Sequence, residues 1–147
     1  MIKCVLALCA QHALIDKQSN AVSVISILDE LTVPILPGLI GAISAVFVLR
    51  RNEEDASKQD LVVTAGMLQS DRQKFPFAVD FQGKLSSRAI ATMQGVPIPA
   101  PGVFRVEIGL NDEVLGSWDV TINSIVSQPV ITSDLPGITA TTQPPSS

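Results

Sequence analysis

The chain is poor in the residues that most often carry chemistry. Among its 147 residues there is no tyrosine, one histidine (His12), one tryptophan (Trp118) and two cysteines, Cys4 and Cys9. A lone imidazole rules out a His-rich metal site and a pair of imidazole acid–base groups. Charge is scarce too. Charged residues make up 16%, with ten basic against fourteen acidic and a net charge of −4. Phosphate-mediated nucleic-acid binding needs a positive footprint, and none is present. Arg50-Arg51 is followed at once by Glu53, Glu54 and Asp55, which reads as a solvated loop. These acids and Asp60 lack the alternating Asp order of a calcium loop. No phosphate-binding Gly-rich loop, Gly-x-Ser-x-Gly elbow or dinucleotide fingerprint occurs. No apolar run reaches the roughly 18 residues of a membrane-crossing helix. The first ten residues hold one Lys, a short apolar run and no clean cleavage site, so no secretory signal is expected. The expectations are therefore no cofactor, no metal, no nucleic acid and no membrane.

The two cysteines lie five apart in one apolar run. In a regular strand that odd spacing puts them on opposite faces, about 16 Å apart, so they cannot bridge each other. Two buried free thiols suit a reducing compartment, and a cytoplasmic location is expected. Cys9 and His12 form the sharpest catalytic possibility, because a thiol nucleophile needs a base. The apolar surroundings of Cys9 argue against it, since they raise a thiol's pKa. No catalytic residue is assigned, and the protein is expected not to be an enzyme.

What the chain does have is apolar, β-branched sequence. Hydrophobic residues make up 46%, enough for one domain with a sizeable core. Phe104, Val106, Ile108 and Leu110 alternate with Val103, Arg105, Glu107 and Gly109, the period of a half-buried strand. Asn111-Asp112 follows, and both residue types accept the left-handed backbone of a tight hairpin turn. Residues 113–122 alternate again, with Trp118 on the apolar phase. Trp118 reads first as core or a sheet-edge anchor, and second as a ligand-stacking platform. Pro97, Pro99 and Pro101 cannot donate ladder hydrogen bonds and are expected in a loop that leads into this hairpin.

Further strands are expected at 2–10, 21–28 (with a bulge near Val24–Ile25), 42–50, 61–69, 75–81 and 85–94. A polar connection is expected at 11–20. A crossover loop at 29–41, with one helical turn near Asp29, is expected to pack on the end of the domain. Phe75, Phe77, Val79 and Phe81 share one phase, and Pro76 marks that strand as an edge. About eight short strands separated by turn signals predict an all-β, antiparallel Greek-key β-sandwich. The domain is expected to span residues 1–126. Residues 127–147, rich in Pro, Ser and Thr, read as a flexible tail.

The opening run Val5-Leu6-Ala7-Leu8-Cys9-Ala10-Gln11-His12-Ala13-Leu14-Ile15-Asp16, the strand ending at Asp29 and the stretch from Gly95 through Pro101-Gly102-Val103-Phe104 to Ile108 together resemble a family. It is a widespread prokaryotic family of uncharacterised, immunoglobulin-like small β-sandwich proteins, a domain of unknown function. The resemblance covers about residues 2–122. It departs at Ala10, where the family often has an acid, and at Phe104, which comes one residue late. The resemblance implies the fold and brings no activity with it.

The functional expectation is a protein-protein interaction or structural module, with an unknown protein partner or self-association. Its candidate surface is Pro97, Pro99, Phe75, Phe77 and Trp118. The second reading is a small-ligand or carbohydrate binder built around Trp118.

Overall fold

The computed structural model describes residues 1–125. The tail expected at 127–147, and the domain boundary at 126, lie outside the described residues.

Among the described residues nine strands form two sheets: β1 (Lys3–Ile15), β2 (Val22–Ile27), β3 (Glu30–Val33), β4 (Gly38–Arg50), β5 (Lys58–Met67), β6 (Gln73–Asp80), β7 (Ser86–Ile98), β8 (Gly102–Leu110) and β9 (Glu113–Ser124). The first sheet has the order β2-β1-β4-β7 and the second β3-β9-β8-β5-β6. The chain crosses from the first sheet to the second three times, between β2 and β3, between β4 and β5 and between β7 and β8. β4 therefore pairs with β7, and β5 with β8. This is the Greek-key, immunoglobulin-like β-sandwich the periodicity predicted.

The core lies between the sheets. Ile43, Ala45, Phe47 and Leu49 of β4 face Leu61 and Val63 of β5 and Phe104, Val106 and Ile108 of β8, all fully or almost fully buried. Each large side chain so buried contributes roughly 1.5–3 kcal/mol through removal of apolar surface from water. The β8–β9 hairpin follows its expectation except near the turn, where a register shift between Ile108 and Gly109 leaves Val114 exposed and packs Leu115 on the core. Asn111 (φ 52°) and Asp112 (φ 68°) both adopt left-handed backbone, the turn whose twist suits two paired strands.

The structure corrects four sequence expectations. First, the crossover at 29–41 has no helical turn. Residues 30–33 form β3, which pairs parallel to β9 at Glu30↔Thr121 through Val33↔Ser124. A four-residue strand with a distant parallel partner leaves almost no local signal. Second, β1 runs on to Ile15, and the turn is confined to residues 16–20. There the Asp16 carboxylate accepts from the amides of Gln18 (2.8 Å) and Ser19 (3.3 Å). In β2 the irregularity sits at Ser26 (φ 60°), not at Val24–Ile25. Third, Cys4 and Cys9 share a face. The register of β1 slips between Cys4 and Leu6, so Cys4 pairs with Leu49 and Cys9 with Ala45, both core-facing positions of β4. One extra residue restores the phase that odd spacing would reverse. Both thiols are free. Fourth, Pro97 is not in a loop but within β7, opposite Leu39. β7 is a sheet edge, where a missing N–H is tolerated.

The far half of the β1–β2 hairpin leaves β4 after Ala10↔Ser44 and folds back over the outer face of the first sheet. Ala13, Val22 and Val24 pack there on Leu8, Ala10 and Val46, with Ile90 alongside. At the tip, Arg88 Nη2 donates to Asn20 Oδ1 at 2.7 Å.

Candidate functional site

The two long sides of the sandwich differ. On one side β1 approaches β9. A Cβ added to Gly116 would lie 2.6 Å from Cys4 Sγ, so glycine is what allows this approach. Beside it Trp118 is half-buried, packed against the main core and against the Leu8–Val46 cluster. Its indole N–H donates to the Leu28 carbonyl at 2.6 Å. Trp118 is thus an anchor that closes this side. Its polar atom is engaged within the chain.

The opposite side is open. β6 is the edge of the second sheet and β7 the edge of the first. Between them runs a groove of about 360 Å³, walled by Phe75 and Phe77 from β6 and by Ile90, Met93 and Val96 from β7. It adjoins a mainly apolar cleft of about 230 Å³ beneath Pro97 and Pro99, which reaches Met67 and Pro37. Gln73 and Val96 border both, so the two make one continuous depression.

Four of the five sequence-predicted surface residues meet here: Phe75, Phe77, Pro97 and Pro99. Trp118 does not join them. Phe75 is 37% exposed, whereas Phe77 packs partly against the core. The aromatic phase continues inward to Val79 and to Phe81, which lies under the Arg51 guanidinium at 5.8 Å. Ile90, Met93 and Val96 were not singled out from the sequence. The available signal was the absence of charge from Ala89 to Val96 in a strand that turns out to be an edge.

The remaining candidates separate. Cys9 is fully buried, and burial pushes its thiol up to about 12. His12 is exposed, and its odd spacing from Cys9 turns it to the other face of β1. Burial also raises the Cys4 thiol, partly offset by its contact with the Leu6 carbonyl. Among the described residues no group of three or more His, Cys, Asp or Glu is placed to hold a metal ion. No described helix is long and apolar enough to cross a membrane.

The outer face of the second sheet is of another kind. Arg105 grips Asp119 through two bonds, Nε–Oδ1 at 2.6 Å and Nη2–Oδ2 at 3.0 Å. Arg72 Nη1 lies 3.1 Å from Glu107 Oε1, a charge contact without hydrogen-bond alignment. Asn123 donates to Glu30 at 2.7 Å. The first sheet's strands carry Lys3, Arg50 and Arg88 and no carboxylate at all. Paired charge marks the outer face of the second sheet, and the openings lie between the edges of the two sheets.

The sequence profile of a family of unknown function (DUF6941) matches residues 5–123. No curated protein matches the chain. Among solved structures, it is similar to a β-glucosidase from Listeria innocua at 14% identity and TM-score 0.46, over 65% of this chain and 15% of that one. It is similar to the alkylpurine DNA glycosylase AlkC of Pseudomonas fluorescens at 14% identity and TM-score 0.49, over 83% of this chain and 30% of that one. It is also similar to an immunoglobulin-like protein from Pseudomonas aeruginosa at 11% identity and TM-score 0.47, over 84% and 97%. The chain thus spans less than a third of the two enzymes. At these values none of the three speaks to function.

Proposed function

The chain belongs to a family of unknown function, DUF6941, and we propose from its own geometry that it is a non-enzymatic sandwich whose β6–β7 side docks another protein. The observation that carries this reading is the coincidence of two strand edges, unpaired among the described residues, with one depression that gathers Phe75, Phe77, Pro97 and Pro99 and is edged by Gln73, Thr92 and Gln94. Unpaired edges offer backbone donors and acceptors, and the apolar walls offer area to bury. The separation of Cys9 from His12 supports the non-enzymatic part. The two free thiols fit the reducing environment of the cytoplasm.

The test is affinity capture with the tagged full chain, run side by side with Phe75→Asp and Ser117→Asp. Phe75 is the better probe than Phe77, because Phe77 also packs on the core. A stoichiometric protein retained by the parent and by Ser117→Asp, but lost with Phe75→Asp, supports the reading. Capture that Phe75→Asp leaves unchanged overturns it.

A further inference from the structure

The two edges on the open side are not equally guarded. β6 carries Lys74, Asp80 and a central Pro76, each a feature that discourages strand addition. β7 is longer, thirteen residues against eight, and carries one charge, Arg88. That charge does not guard the edge, because Asn20 holds the guanidinium back over the outer face of its own sheet. Toward the other end, Gly95 (φ 63°) and Pro97 interrupt the regular edge. The free, regular stretch is therefore 87–94, and it is uncharged from Ala89 onward.

Resting on the docking reading above, we propose that the occupant of this edge is a second copy of the same chain, with β7 paired antiparallel to β7 about a two-fold axis at Ala91. The sequence of the edge is complementary to itself in that register. Arg88 comes opposite Gln94 and not opposite another cation. Ala89 comes opposite Met93. On the outer face Ile90 comes opposite Thr92, a β-branched pair of the kind that stabilises adjacent strands. Ala91, a small side chain, meets its own copy at the axis. An isologous contact of this type closes on itself and cannot run on into a fibre. It would join two four-stranded sheets into one of eight, with Phe75 and Phe77 of each copy flanking the new seam.

The experiment is the solution mass of the purified full chain across micromolar to millimolar concentration, with two variants. Thr92 is exposed, so Thr92→Lys should fold despite losing the 3.2 Å hydroxyl contact with Ser44, and it should weaken dimerisation at least about tenfold by placing two like charges beside the axis at the centre of the seam. Ala91→Cys should give a disulfide-linked dimer on mild oxidation, since self-opposed residues in an antiparallel pair sit within bridging distance. Ser117→Cys, on the second sheet, should not. A parent chain that stays monomeric throughout the range overturns the proposal. So does a dimer that ignores Thr92→Lys and does not cross-link through Ala91→Cys. A monomer that still loses a captured protein on Phe75→Asp would overturn self-pairing and leave the docking reading standing.

Discussion

Trp118 and Phe75 stand on opposite sides of the sandwich, one closing a seam and the other walling an open groove. Both lie on apolar phases of β-strands, and both are aromatic. Their fates differ because of what lies across from them. Opposite Trp118 the chain supplies the Leu28 carbonyl at 2.6 Å, and next to it Gly116 lets β1 come close enough to pack on β9. Among the described residues, what lies opposite Phe75 is the edge of β7, with a groove between them. A side chain's type sets its affinity for burial, and its neighbours across the sandwich decide whether burial happens within one chain.

Several substitutions would break or sharpen this contrast. Trp118→Ala should have the largest effect, about 3 kcal/mol of lost stability, because it opens a cavity between two clusters and leaves the Leu28 carbonyl unpaired. Urea unfolding would measure it, and a loss below about 1 kcal/mol would mean that the seam is not held by this residue. Gly116→Ala should come next, at about 2 kcal/mol, since its Cβ would lie 2.6 Å from Cys4 Sγ. The loss should shrink when Cys4→Gly is added, which removes both the Sγ at 2.6 Å and the Cβ at 2.9 Å, and a double-mutant cycle showing simple additivity would contradict the steric account.

On the open side Phe75→Asp should change stability by no more than about 0.5–1 kcal/mol, the range for a partly exposed position without a buried partner. If it cost as much as Trp118→Ala, the two sides would not differ in the way described. Smaller still is the Arg105–Asp119 pair, on the solvent face of the β9 segment that holds Trp118. Hydrogen bonding to Arg105 holds the Asp119 carboxyl below its ordinary 3.8. A depressed carboxylate stabilises the fold above that ordinary value, and the contribution is lost as pH falls through the lowered one. Asp119 is 47% exposed, so solvent screening keeps the contribution below about 1 kcal/mol. Asp119→Asn should therefore be slightly less stable than the parent at neutral pH, and the difference should vanish in strong acid. Finally, Cys9 should resist alkylation until the protein unfolds, because its thiol is buried and its pKa is raised to about 12. Labelling of Cys9 in the folded chain would reopen the thiol chemistry that the geometry disfavours.

Legibility followed the range of the interactions. The β8–β9 hairpin could be read in outline, because alternation and an Asn-Asp turn are local, but the register shift that exposes Val114 could not. β3 was read as a crossover because its partner lies some ninety residues on, at Thr121 to Ser124. The two cysteines were placed on opposite faces because a register slip between Cys4 and Leu6 cannot be seen in the spacing itself. Pro97 was assigned to a loop because nothing in the sequence marks β7 as an edge able to take it. For the candidate surface, Phe75, Phe77, Pro97 and Pro99 each stood out alone, whereas Ile90 and Met93 did not, and their meeting in one groove is a product of the fold.

By itself the sequence determined the fold class, most of the strands and the tight hairpin turn. Those follow from composition and period-two patterning, which act over a few residues and survive without knowledge of partners. The tertiary structure alone decided which strands became edges, that the β1–β2 hairpin folds over its own sheet, that Trp118 closes one side and that the aromatic residues of β6 face a nearly uncharged edge on the other. Strand order is set by the burial that two sheets achieve together, and that quantity has no local trace in the chain.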